Sequence, residues 1–168
     1  MDEHEDSIAR ITRLEETVAV LQAERSILAT LYGYSNAIDR RASAEWASYF
    51  TSDATLVGVD VDGKELVKWV GREEIAAFAD FHTDKFLFRH GVAHSRIKVD
   101  GDRAHVSSGY TLITGDGADP MLSAWGNYED DMIKEADGVW RFETRLMVSL
   151  QIRPQLSLFR ESVSGIGR

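Results

Sequence analysis

Apolar residues recur every three or four positions over the first forty residues: Ile11, Leu14, Val18, Leu21 and Leu28, then Leu31, Tyr34 and Ile38. That spacing predicts helix, because 3.6 residues per turn bring such side chains onto a stripe. The earlier part follows heptads, with Arg25 where an apolar residue belongs. Asp6-Ser7 can cap the start. Two or three heptads make a weak free-standing coiled coil, so the stripe reads as a helix packed on a partner subunit or on its own domain. Gly33 is a candidate bend between an outer arm and the domain proper. Trp46 and Phe50, four apart, predict a short helix over 42–50, ended by Ser52-Asp53. Residues 54–59 and 66–70 read as strands joined through the Asp62-Gly63 turn, and 73–81 as a helix burying Ile75, Phe78 and Ala79.

Beyond these elements the period shortens to two. Alternation runs over 89–99, 103–114, 121–135 and 139–152. Asp100-Gly101-Asp102, the loop 115–120 and Asp137-Gly138 punctuate it. Helices first, then long strands on short turns, predict an α+β fold: an antiparallel sheet with helices on one face. The expected organisation is an arm over 1–28, one domain over 29–152 and a tail over 153–168.

Composition narrows the function. With 168 residues, 43% of them hydrophobic, the chain has material for one well-cored domain. A formal charge of −9 argues against polyanionic partners, so neither nucleic acid nor an anionic membrane is expected. The absence of Cys excludes disulfides, thiolate metal sites and Cys nucleophiles. The acidic start Asp2-Glu3-His4-Glu5-Asp6 does not read as a signal peptide. No apolar run approaches the roughly 20 residues that span a bilayer. A cytoplasmic location is the expectation.

Among the five histidines, His90 and His94 stand out, four apart at the entry to a strand. Such positions share a face, yet their Cα atoms lie roughly 13 Å apart, too far to share a metal unless the chain turns at Gly91. No His-Glu-x-x-His motif or second ligand cluster is present, and no metal is expected. The other use of imidazole is acid–base chemistry, which needs a carboxylate to orient the ring. Asp39, at the end of an apolar helical stretch, is the candidate partner for His94. Pairing of Asp39 with Arg40 or Arg41, or capping of the next helix, is the competing structural role. No Gly-x-Ser-x-Gly, P-loop or dinucleotide fingerprint occurs.

Several segments together carry a family resemblance: Leu31-Tyr-Gly-Tyr34-Ser-Asn-Ala-Ile-Asp39, Trp46, Phe50 and Asp53-Ala-Thr55. Gly71-Arg-Glu-Glu-Ile75, His90 and His94 before Ile97-Lys-Val, and Gly126-Asn-Tyr128 through Trp140 to Arg145 follow in order. Over roughly residues 29–150 the chain resembles a SnoaL-like domain of the nuclear-transport-factor-two-like superfamily. That family includes scytalone dehydratase, bile-acid 7α-dehydratase and hexachlorocyclohexane dehydrochlorinase. The resemblance implies a cone: a curved sheet wrapped around the helices, with an apolar pocket open at one end. It implies an Asp39–His94 dyad, with His90 the alternative base. It also implies a pocket tyrosine at Tyr34 and a functional arginine at Arg145. Strict alternation sets Arg145 opposite Trp140 and Phe142 unless a bulge intervenes.

The function expected is that of a cofactor-independent lyase, a dehydratase acting on a small, mostly apolar hydroxylated or carbonyl compound of polyketide, steroid or aromatic type. His94 removes a proton from carbon, Asp39 fixes its tautomer, Tyr34 assists the leaving group, and Arg145 or Asn127 steadies negative charge. His90, Trp69, Phe86, Phe88, Trp125 and Met147 are expected to shape the pocket. Isomerisation or epoxide opening would use the same base. A non-catalytic binding or structural subunit is the reading from another class. A homodimer or homotrimer is expected.

Overall fold

The computed structural model describes residues 3–83, 87–115 and 119–152. Phe86 and the tail 153–168 lie outside the described residues. Three helices are present: α1 (Glu3–Asp39), α2 (Ser43–Ser48) and α3 (Arg72–Thr83). The six strands are β1 (Phe50–Val59), β2 (Glu65–Val70), β3 (Leu87–Asp100), β4 (Arg103–Gly115), β5 (Met121–Lys134) and β6 (Trp140–Ile152). They form one curved, unclosed sheet in the order β2-β1-β6-β5-β4-β3. Neighbours are antiparallel except β1 and β6, which run parallel. The α+β expectation holds, and the sheet is mixed through that one pair.

Two details of the helices bear on the sequence pattern. α1 runs through Gly33 as one continuous helix. The glycine admits the Tyr49 ring, whose phenol end occupies the space a Cβ would need. α3 extends to Thr83 and takes His82 out of the expected loop.

Only the C-terminal part of α1 enters the core. Ile27, Leu31, Tyr34 and Ile38 fall on one face at helical spacing and are buried. They pack with Trp46, Phe50, Trp140 and Phe142, each 2% exposed or less. Full burial of an aromatic or aliphatic side chain of this size is worth about 1.5–3 kcal/mol, so these contacts anchor the helices to the sheet.

Two of the register shifts in the sheet set the facing of candidate site residues. On β3 the register passes from Ala93↔Gly109 to Arg96↔Ser107, so His94 and Ser95 together oppose Ser108. His94 takes a left-handed φ of 56° there. On β6 the register passes from Phe142↔Met132 to Thr144↔Asp131, leaving Glu143 as the extra residue. An extra residue reverses the in–out alternation beyond it. Trp140, Phe142 and Arg145 are therefore all buried on the inner side, which resolves the conflict that strict alternation posed.

Candidate active site

Asp39 is the last residue of α1. Beyond it Arg41 adopts a left-handed φ of 62°, and Ala42 N–H bonds back to the Ala37 carbonyl, which ends the helix. The carboxylate is thereby held against the first half of β3. His90 N–H donates to both Asp39 oxygens at 3.1 Å, and His90 Nδ1 lies 2.8 Å from Oδ1. An ionised carboxylate can only accept, so Nδ1 carries the proton and donates, leaving the Nε2 lone pair free. No protein group among the described residues hydrogen-bonds to Nε2. The two side chains are 5% and 14% exposed, so water competes little for the bond. Arg89 Nη1 approaches the other carboxylate oxygen at 3.5 Å but is three-quarters exposed and contributes little.

His90 opens onto an apolar funnel. Tyr34, Ile38 and Trp46 come to it from the helices, Leu56 and Val67 from β1 and β2, and Phe88 from β3. Tyr110, Leu112, Ala124, Tyr128, Met147 and Ser149 complete the wall from β4, β5 and β6. The cavity volume is about 80 Å³. Two polar features interrupt the wall. The Tyr110 hydroxyl and Ser149 Oγ bond to each other at 2.7 Å. The Tyr34 phenol stands beside the buried Trp46 Nε1–H, which has no hydrogen-bond partner. Burial pushes the Tyr34, Tyr110 and Tyr128 phenols up from their ordinary value, so all three are neutral donors near pH 7.

Beneath the tyrosines lies a buried ion pair. Arg145 Nε and Nη2 donate to the two Asp130 oxygens at 2.8 and 2.7 Å, with both side chains 0% exposed. The guanidinium carbon sits 4.0–4.1 Å from the ring centroids of Tyr34, Tyr128 and Phe142. Burial raises the Asp130 carboxyl above the usual carboxylate range, and Arg145 opposes that shift. Burial acts against the Arg145 charge too, but Asp130 outweighs it and holds the guanidinium protonated. Arg145 also draws the Tyr34 phenol partly back down.

The expected site is corrected at several positions. The imidazole bonded to Asp39 is His90, not His94. Plain alternation would put both on one face; the bulge at 94–95 reverses it, and His94 is exposed. Trp125 (40% exposed) and Asn127 point to the outer face of β5, away from the funnel. Trp69 is buried core, packed 3.8 Å from Phe78 between centroids, and does not line the funnel. Arg145 lies under the aromatic floor and is sealed from the funnel space. Tyr34, Phe88, His90 and Met147 do line it. Among the described residues no group of three or more His, Asp or Glu could hold a metal. Asp130 and Ser149 escaped the sequence reading. Asp130 had a usable signal: it sits between Tyr128 and Met132 at alternate inward positions, where a carboxylate requires a buried cation.

The fold and this funnel define a nuclear-transport-factor-two-like, cystatin-like protein. The model of the SnoaL-like domain matches residues 19–146, and the chain belongs to that family. No curated protein matches significantly. A function-unknown protein from Mycobacterium tuberculosis (Rv3472) is similar at 25% identity and a TM-score of 0.70, covering 82% of this chain and 75% of its own. An NTF2-like protein with a cystatin-like fold from Novosphingobium aromaticivorans reaches a TM-score of 0.74 at 16% identity, covering 88% of this chain and 95% of its own. A candidate scytalone dehydratase from the same organism gives 0.70 at 20% identity, covering 82% and 90%. These likenesses support the fold. Among the described residues no helix is long and apolar enough to cross a membrane.

Proposed function

We propose that the chain is a cofactor-independent lyase of dehydratase type, acting on a small, mostly apolar carbonyl or hydroxylated compound. The observation that carries this reading is the Asp39–His90 pair at 2.8 Å, opening onto an apolar funnel. His90 Nε2 takes a proton from the carbon next to the substrate carbonyl. Asp39 fixes the required tautomer and stabilises the imidazolium that forms. The Tyr34 O–H, on the funnel wall, is the candidate donor to the oxygen on which enolate charge develops. A hydroxide on the adjacent carbon leaves as water, taking a proton from the imidazolium or from Tyr34. Arg145 acts through Tyr34, which its charge makes a better donor, and not by touching substrate. The apolar wall keeps bulk water from competing for the proton.

The test separates proton abstraction from binding. Exchange of the α-hydrogens of α-tetralone, a flat bicyclic ketone, is followed by NMR in D2O. Binding is followed by quenching of tryptophan fluorescence. The native protein is expected to catalyse exchange, and His90→Ala to lose about 10²–10⁴ of that rate with its affinity within a few-fold. Saturable binding without exchange above the buffer rate would instead support a ligand-binding module.

A further inference from the structure

The part of α1 from Glu3 to Gln22 does nothing for the funnel. Residues 4–22 are exposed along their whole length. Their apolar stripe, Ile11, Leu14, Val18 and Leu21, is half or more exposed at every position. The domain cannot cover it. The face that enters the core at Ile27, Leu31, Tyr34 and Ile38 continues backwards through Val20, Glu16 and Arg13, which is a different stripe. An anionic membrane is a poor occupant, because acidic residues outnumber basic ones in this segment. We propose that the arm pairs with the arm of a second copy of this chain as an antiparallel two-helix coil.

The register follows from the heptads. With Ile11 and Val18 at one seam position and Leu14 and Leu21 at the other, an antiparallel pair places Ile11 opposite the partner's Leu21 and Leu14 opposite the partner's Val18. Every apolar seam residue then meets an apolar one. Arg10 flanks the seam opposite the partner's Glu24, and the two-fold axis repeats that opposite-charge pair at the other end. Arg25, the misfit in the stripe, falls opposite the partner's Ser7, within the acidic turn of Glu5 and Asp6. A parallel pair would gain Arg10 against Glu15 but would set Arg25 against Arg25 in the seam. Two like charges facing each other in a desolvated seam cost more than two exposed pairs return. The antiparallel form has one weakness, Glu15 near its own symmetry mate, and there the charges are exposed. The seam is short, so the association is expected to be weak and concentration-dependent.

The full chain contains no Cys, which gives a clean test. The double variant Ile11→Cys with Leu21→Cys is expected to form interchain disulfides on mild oxidation, while Ile11→Cys alone is not. In sedimentation, Glu24→Arg is expected to weaken dimerisation about tenfold, and adding Arg10→Glu to restore it to within about threefold. Oxidation of the single Ile11→Cys variant to dimer as readily as the double would show a parallel pair and overturn the proposal. A monomer at all concentrations, or a dimer indifferent to Glu24→Arg, would overturn it as well.

Discussion

Two pairs built on a carboxylate sit within the same cone, and their differences separate support from chemistry. Asp130–Arg145 is fully buried, bidentate and enclosed by three aromatic rings. Each charge exists only because the other is there, so neither can gain or lose a proton near neutral pH without wrecking the floor. Asp39–His90 is a single side-chain bond at the funnel wall, 14% open on the histidine side. Its imidazole keeps one nitrogen unbonded. Burial and bidentate geometry make a girder; partial exposure and a free lone pair make a reagent.

The largest effect is expected at the reagent. His90→Ala is expected to cost about 10²–10⁴ in α-tetralone exchange while thermal unfolding shifts little. Asp39→Asn should approach the same loss, because an amide can donate to Nδ1 and so favour the wrong tautomer. Large loss of stability in His90→Ala would blur the distinction between the pairs.

The girder is tested by stability. Arg145→Met alone leaves Asp130 buried and unpaired, and is expected to lower unfolding free energy by about 3–5 kcal/mol in urea denaturation. Combining it with Asp130→Leu should recover most of that loss, since an apolar pair fills the same volume without stranded charge. If the double variant is no more stable than the single, the pair does more than hold the floor. Tyr34→Phe links the two regions. Removing one donor from the developing oxyanion should slow exchange about tenfold without changing the pH profile.

The smallest effect belongs to a third pair on the outer sheet face. His105 Nδ1 bonds Asp131 at 2.9 Å, with Glu129 at 3.3 Å from Nε2. The hydrogen bond to Asp131 raises the His105 pKa above 6.5 despite the opposing effect of burial. A raised folded value gives stability that is complete below 6.5 and lost as pH climbs through that raised value. The side chain is half exposed, so screening keeps the gain small. A slight fall in melting temperature above pH 6.5, absent in His105→Gln, is expected from calorimetry across pH 5–9.

Much of the architecture was legible because periodicity is local. The order of helices and strands, the Asp62-Gly63 hairpin and the buried positions Leu31, Tyr34 and Ile38 follow from spacing alone, whereas Ile27, off the heptad stripe, does not. Asp39 was legible too, since the end of an apolar helical stretch is a sequence feature. The choice between His90 and His94 was not. It turns on where β3 accommodates one extra residue, and that depends on pairing with β4, a strand some fifteen residues away. Trp125 and Asn127 failed for a related reason: which face of β5 is inner is set by the whole sheet. Arg145 posed the same problem in reverse, and the Glu143 bulge solved it.

The misfit at Ser95 has an evolutionary reading. Losing one codon there would straighten β3 and turn the imidazole of His94 to the inner face of the sheet without any amino acid being exchanged. Such a deletion would be visible as a new slow-exchanging imidazole resonance. Lineages built on this cone thus have a route to new reactivity that alignments of substitutions would miss, because the innovation lies in the count of residues along one edge strand.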